Sequence, residues 1–417
     1  MKKISFLALS LLLSLGASAQ MSVVKDADRA MKDKKDLKTV LEIVTPAFSN
    51  PETSGLAQTY FIPGKAAFQQ CDNFTGLAAI QPSKYSMKDT VEMAKILLQG
   101  YDFFNKAFPL DSVPNDKGKV KPKYSKDMVN LILGHYYDFL SAGGNLYNSG
   151  DYQGAYDAWN VFTSLPSNPV YAKSISKLTN GMGQSIAPTD ELISEILYNQ
   201  GVAAWRLNDL PKTLKAFLDA KNKGYKKKGL YDNAIAVADQ MKDDETLLAL
   251  ANEANGLYGG EDPIYVNYII NHYLQAKEYD KAFEIVNAAL ANDPDNAQYY
   301  VILGVLYDNV DKPADGKTAF AKAVELDPRN SAALFHHGRK IYEEAFALAD
   351  GAPTATAEYE VFYNERFKPL LEEAAKYLEQ AWDEDNNNTE PLRYLENIYY
   401  NIHDEANLKY TEERMGK

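Results

Sequence analysis

Several short stretches carry the residue types from which catalytic or binding chemistry is built, and each stops short of a working pattern. Gly181–Ser185 reads GMGQS, but it lacks the further glycine and the preceding strand that a phosphate cradle needs. Ile62–Phe68, IPGKAAF, places Gly before Lys as a phosphate-binding loop does, yet Thr59 stands where the first Gly belongs and Ala66 where Ser or Thr belongs. His336 and His337 are neighbours on an expected helix and so point about 100° apart, which prevents them from sharing one metal ion. His135, His272 and His403 have no His or Cys at a ligand spacing. Asp383–Pro391, DEDNNNTEP, starts like a calcium loop, but Asn388 replaces its Gly and Tyr394 its closing Glu. The single cysteine, Cys71, sits in a helix-like stretch and reads as a small buried residue. Acidic side chains are plentiful, and nothing selects two of them as an acid–base pair. The expectation is a chain with no catalytic residue, no metal site and no cofactor.

The elements that would position a site therefore decide the reading. The chain has 417 residues, 46% of them hydrophobic and 24% charged, enough for a large core. Lys2 and Lys3, an apolar run from Ile4 to about Leu15, and Ala17 and Ala19 form the pattern of a signal peptide cleaved near Ala19–Gln20. No Cys follows that site to take a lipid, and no later stretch approaches the roughly 18 apolar residues of a membrane span. Export, most simply to a periplasm, with no membrane insertion of the mature chain, is the expected course. The formal charge is −13, and removing the two lysines makes it more negative by two. Such a chain repels nucleic acid. The basic run Lys221–Lys228 suits a helix end and turn.

A repeating unit organises most of the sequence. In Ser149–Phe162, SGDYQGAYDAWNVF, Ala155, Trp159 and Phe162 share one helical stripe. From Pro263, Tyr279, Ala282, Val286 and Ala289 repeat that stripe and Pro294 closes the unit. From Ala297, Tyr300, Leu303, Gly304, Tyr307, Gly316, Phe320, Ala323 and Pro328 take the matching places, and a third unit opens at Ser331. The interval is 34 residues. Period and residue pattern together resemble the tetratricopeptide repeat family. Weaker units align from Tyr136 (Phe139, Gly143, Tyr152) and from Ser194 (Leu197, Gly201, Leu210, Phe217, Ala220), the latter departing at Thr213 where Ala is usual. Degenerate ones are suggested by Val40, Val44, Ala47 and Pro51, and by Gly100, Phe104 and Ala107.

The resemblance implies an all-α fold, an α-solenoid of about nine antiparallel helix pairs forming a superhelix. Behind the signal segment, 1–19, the reading divides the chain into a degenerate helical region at 20–135, a middle set of repeats at 136–262 and a C-terminal set with capping helices at 263–417. Insertions are expected at 109–125, 164–189 and 349–359. The family binds peptides or partner proteins in the groove lined by first helices. Its groove places fall on Tyr137, Tyr147, Asn148, Tyr198, Trp205, Arg206, Asn267, Asn271, Gln275, Asn309, Phe335, Arg339 and Tyr342. Rings there would supply buried area and amides would pair with an extended backbone. The implied function is a non-catalytic scaffold for a protein or peptide partner. The alternatives are a glycan-binding accessory protein of the envelope, and an enzyme with its site in an insertion. Neither the partner nor the oligomeric state is written in these residues.

Overall fold

A computed structural model describes residues 21–114, 117–259 and 264–416. The segment read as a signal peptide, 1–19, lies outside them, as does most of Gly259–Asp262. The fold is all-α, with one isolated bridge, Thr179–Ser185, among the described residues. Packing divides the chain after Lys242. That break falls inside the expected middle region, and one core runs from Phe61 through Tyr136 and Phe162 to Ala203.

The first unit holds α1 (21–32), α2 (Leu37–Ser49), α3 (Ala57–Ile80), α4 (Met87–Asp111), α5 (Ser125–Gly134), α6 (Tyr136–Asn148), α7 (Tyr152–Ser164), α8 (Ala172–Ile175), α9 (Asp190–Arg206), α10 (Leu210–Asn222) and α11 (Lys228–Met241). The second holds α12 (Asp244–Tyr258), α13 (Ile264–Gln275), α14 (Tyr279–Asn292), α15 (Ala297–Asn309), α16 (Pro313–Leu326), α17 (Ser331–Ala349), α18 (Thr356–Phe362), α19 (Lys368–Glu384), α20 (Glu390–Asn401) and α21 (Glu405–Arg414). Each unit is an α-solenoid segment in which short turns fold successive helices back on one another.

One contact recurs in the pairs. A glycine of the first helix lets a large side chain of the second lie directly on its backbone. A Cβ at Gly64, Gly201 or Gly304 would come within 2.5 Å of Phe104, Phe217 or Phe320, and one at Gly143 within 2.2 Å of Trp159. At Gly338 the partner is Leu378 on α19, at 2.9 Å. The α13–α14 pair reverses the sizes, with Ile270 on the first helix and the smaller Val286 on the second, both fully buried. Either arrangement fills one interhelical gap, which is why the pattern tolerates the swap. Thr213, the departure in the Ser194 unit, is fully buried, and its hydroxyl donates to the Asp209 carbonyl at 2.8 Å.

A second regularity lies in the turns between first and second helices. Gly150, Asn208, Lys277, Asp311 and His403 all have positive φ, the conformation that ends one helix and reverses the chain. Lys242, which ends α11, also has positive φ.

The insertions are smaller or better ordered than their composition suggests. Helix α4 keeps Pro109 inside it and runs to Asp111, so the first insertion begins at Ser112. The Asp111 carboxylate accepts the backbone N–H groups of Lys123, Tyr124 and Ser125 at 2.7–2.9 Å and closes the loop onto α5. In the second insertion Leu165, Tyr171 and Ile175 are buried in the core. The third shrinks to 350–355, between α17 and α18. Among the described residues no helix is long and apolar enough to cross a membrane.

Candidate groove

Helices α6 and α9 carry the groove places of the first unit. On α9, Tyr198, Val202, Trp205 and Arg206 fall on one face at helical spacing. With Asn233 of α11 they line a cleft of about 510 Å³. The wall is stiff. Tyr198 stacks on Tyr225 at 4.8 Å and on Phe217 at 5.4 Å, and its hydroxyl accepts the Asn233 amide at 3.0 Å. Trp205 sets its edge against Phe217. Burial pushes the Tyr198 hydroxyl above its ordinary pKa, so it stays a neutral phenol.

Arg206 extends this surface toward α6, where the Tyr147 phenol near its exposed guanidinium favours the charged form. Tyr147 in turn meets Tyr152 and Trp159 edge-on or tilted, and Asn148 beside it is exposed. Gly144 lies between them with nothing within 4 Å of a Cβ there, which leaves the α6 floor open. At the far end of α6 Tyr137 is half-covered, since its hydroxyl donates to the Ile186 carbonyl of the second insertion and its ring packs on Phe162. The insertion thus stands over one end of this face.

The nominated residues of the second unit are less free. Phe335 and Tyr342 of α17 set their rings against Tyr394 of α20, and the Tyr342 hydroxyl donates to Asn397 at 2.9 Å. Arg339 donates to Asp308 of α15 at 2.6 Å, where Lys340 also binds, and Glu343 lies beside both cations. Asn309 accepts the Tyr279 hydroxyl. On α13, Asn271 and Gln275 are exposed, and the half-buried Asn267 keeps an unbonded carbonyl oxygen. The structure therefore gathers Tyr198, Trp205 and Arg206 into one cleft with Tyr147 alongside, and places Phe335, Arg339 and Tyr342 in interhelical packing. Val202 and Asn233 were missing from the sequence-based set. Val202 shares the α9 face at the expected spacing, while Asn233 lies where the repeat pattern is faint.

Cys71, His336 and His337 are taken up in packing. Burial pushes the Cys71 thiol up to about 12, far from a nucleophilic thiolate. His336 stacks on Phe320 of α16 and His337 sets its edge on Tyr377 of α19, so the two rings face different helices. Among the described residues no three His, Cys, Asp or Glu side chains cluster as a metal site. IPGKAAF lies inside α3, with Gly64 packed against Phe104.

The family model of the tetratricopeptide repeat matches residues 297–330. No curated protein matches the chain. Solved structures that resemble it include MamA from Desulfovibrio magneticus RS-1, at 17% identity, covering 46% of this chain and 97% of that one with a TM-score of 0.33. A TPR repeats protein from Bacteroides fragilis is 15% identical and covers 64% of this chain and 98% of its own, with a TM-score of 0.30. YrrB, described as a TPR protein with an unusual peptide-binding site, is 16% identical over 48% of this chain and 91% of its own, with a TM-score of 0.32. One unit, 297–330, is thus a tetratricopeptide repeat, and the same glycine-against-ring contact recurs at Gly64, Gly143 and Gly201.

Proposed function

We propose that this protein is a non-catalytic periplasmic scaffold that binds an extended segment of a partner protein along α6, α9 and α11. The repeat fold is a protein-interaction scaffold, and its stacked helices present long surfaces rather than a closed pocket. The observation that carries the reading is the cleft of Tyr198, Val202, Trp205, Arg206 and Asn233, continued by Tyr147. Rigid rings bury ligand area at little entropic cost, and Arg206 and Asn148 remain available to bond a peptide backbone.

Crosslinking in intact cells, read by mass spectrometry, tests the proposal by comparing the native chain with a Trp205→Ala, Arg206→Ala double variant. A partner captured by the native chain and lost from a variant with an unchanged melting curve supports the groove. Equal capture by both refutes it. The periplasmic part has its own check. Protein recovered from the envelope fraction is expected to begin at Gln20, and an intact Met1 in the cytosol would refute export.

A further inference from the structure

A second recess opens on the opposite face of α9, and its chemistry differs from that of the groove. A cavity of about 370 Å³ is walled by Tyr156 and Asn160 of α7 and by Asp219 and Asn222 of α10, with Thr163 and Gln200 at its base. Gln200 is the unusual member. It immediately precedes the packing glycine Gly201, a place held by Leu303 in the 297–330 repeat and by Ala142 in α6. It is only 3% exposed.

Burying an amide at an apolar place costs roughly 1–3 kcal/mol unless its hydrogen bonds are replaced. Here the replacement is partial. The Gln200 amide nitrogen donates to Asn160 at 3.2 Å. Its oxygen receives the Thr163 hydroxyl at 3.4 Å, near the limit of a hydrogen bond, while that hydroxyl also donates to the Trp159 carbonyl at 2.9 Å. A primary amide has two donors and two acceptor sites, so half of its capacity is unspent beside the recess.

The charges at the rim are already matched. Lys215 pairs with Asp219 and Lys223 with Asp190, so neither cation seeks an anionic ligand. What remains is a neutral lining in which amides and hydroxyls alternate with apolar Ile193, Leu197 and Ala216 and one aromatic ring, Tyr156. The volume falls in the range of small-ligand sites, about 300–1,000 Å³.

We propose that this recess binds a neutral saccharide of one or two rings, its hydroxyls bonded by Gln200, Asn160 and Asn222 and its C–H face set against Tyr156. The site is separate from the groove and goes beyond the scaffold reading. A peptide on one face of α9 and a sugar on the other would let a single chain hold a partner protein and a glycan together.

The test is saturation-transfer NMR and calorimetry on the chain from Gln20, with glucose, galactose, N-acetylglucosamine, maltose and, as a charged control, glucuronate. Saturable binding of at least one neutral sugar is expected. Gln200→Leu, which installs the residue found at Leu303, is expected to keep or raise the melting temperature and to weaken binding at least tenfold. Asn222→Ala, on the exposed rim, is expected to weaken binding without touching the core. Trp205→Ala, Arg206→Ala is expected to leave sugar binding unchanged, which separates failure here from failure of the groove. The proposal is overturned if none of the neutral sugars binds, if only glucuronate does, or if binding survives both Gln200→Leu and Asn222→Ala. A drop in stability of Gln200→Leu without any sugar binding to the native chain would make Gln200 an interhelical link only.

Discussion

Two adjacent glycines in α6, each changed to alanine, are expected to move stability in opposite directions. A Cβ at position 143 would lie 2.2 Å from Nε1 of Trp159 and 2.3 Å from its Cδ1. Relaxed contacts between such atoms settle near 3.5–4.0 Å, so the indole would have to retreat by more than about an ångström. Little room exists for that. Trp159 is 6% exposed, and its indole N–H donates to the Leu140 carbonyl of the same helix at 3.3 Å. Overpacking of this kind costs about 1–3 kcal/mol, partly offset by the gain of up to about 1 kcal/mol when alanine replaces glycine inside a helix. The net expectation for Gly143→Ala is a loss of about 1–2 kcal/mol. At Gly144 a Cβ meets nothing within 4 Å, so only the helix term remains and Gly144→Ala is expected to gain about 0.5–1 kcal/mol. Urea unfolding followed by far-UV circular dichroism separates the two as midpoint shifts of opposite sign at an unchanged slope. Trp159→Leu in the Gly143→Ala background should recover part of the loss, as the reversed sizes of Ile270 and Val286 illustrate. A Gly143→Ala protein as stable as the native chain would refute the contact as the organising feature of the pair.

Three further outcomes follow from the same packing. Burial, with Arg339 beside it, pushes His336 down to about 4 in the fold, against an ordinary value of 6.5; the unfolded chain then binds more protons below pH 6.5, so stability falls as pH drops from 6.5 toward 4, by up to about 3 kcal/mol. Melting curves of His336→Phe across that window should lose this part of the slope, and an unchanged slope would exclude His336 as its source. Asp308 holds both Arg339 and Lys340, the latter with a side chain only 9% exposed, and Glu343 stays beside both cations when it is removed, so Asp308→Ala is expected to cost about 1–2 kcal/mol while Lys340→Met costs little; equal costs in denaturant melts would contradict that asymmetry. Lys277 has φ 59° with a side chain that gains nothing from it, so Lys277→Gly should raise the unfolding midpoint by about 1 kcal/mol, and a lower midpoint would show that the turn is held by other contacts.

The parts of the fold legible in the sequence were those in which local pattern and packing coincide. Gly143, Gly201 and Gly304 announce themselves because a ring follows at a constant spacing on a second helix of standard length. Gly64 does the same work against Phe104, but α3 and α4 are 24 and 25 residues long against 13 and 14 for α15 and α16, so the period is lost. The groove was half legible. Tyr198, Trp205 and Arg206 meet in space because their spacing already sets them on one helical face. Phe335 and Tyr342 satisfy the same spacing, yet Tyr394, far along the chain, covers them, and no local pattern reports what packs from a distance. Gln200 was visible as a letter and silent as a signal, since only its burial makes an amide there unusual.

The positive-φ turns separate two kinds of junction. Where a first helix reverses into its second through Gly150, Asn208, Lys277 or Asp311, the connection is only a few residues and its backbone is fixed. The longer additions at 112–124 and 165–189 instead follow a second helix, with their ends already anchored by Asp111 in one case and by Tyr171 and Ile175 in the other. These are natural ports of entry. A fluorescent reporter or an affinity handle spliced near Gly118 or Gly183, both exposed and with open space around them, would ride on the array without altering its pitch. The same cargo placed at Asn208 would unlock a pair.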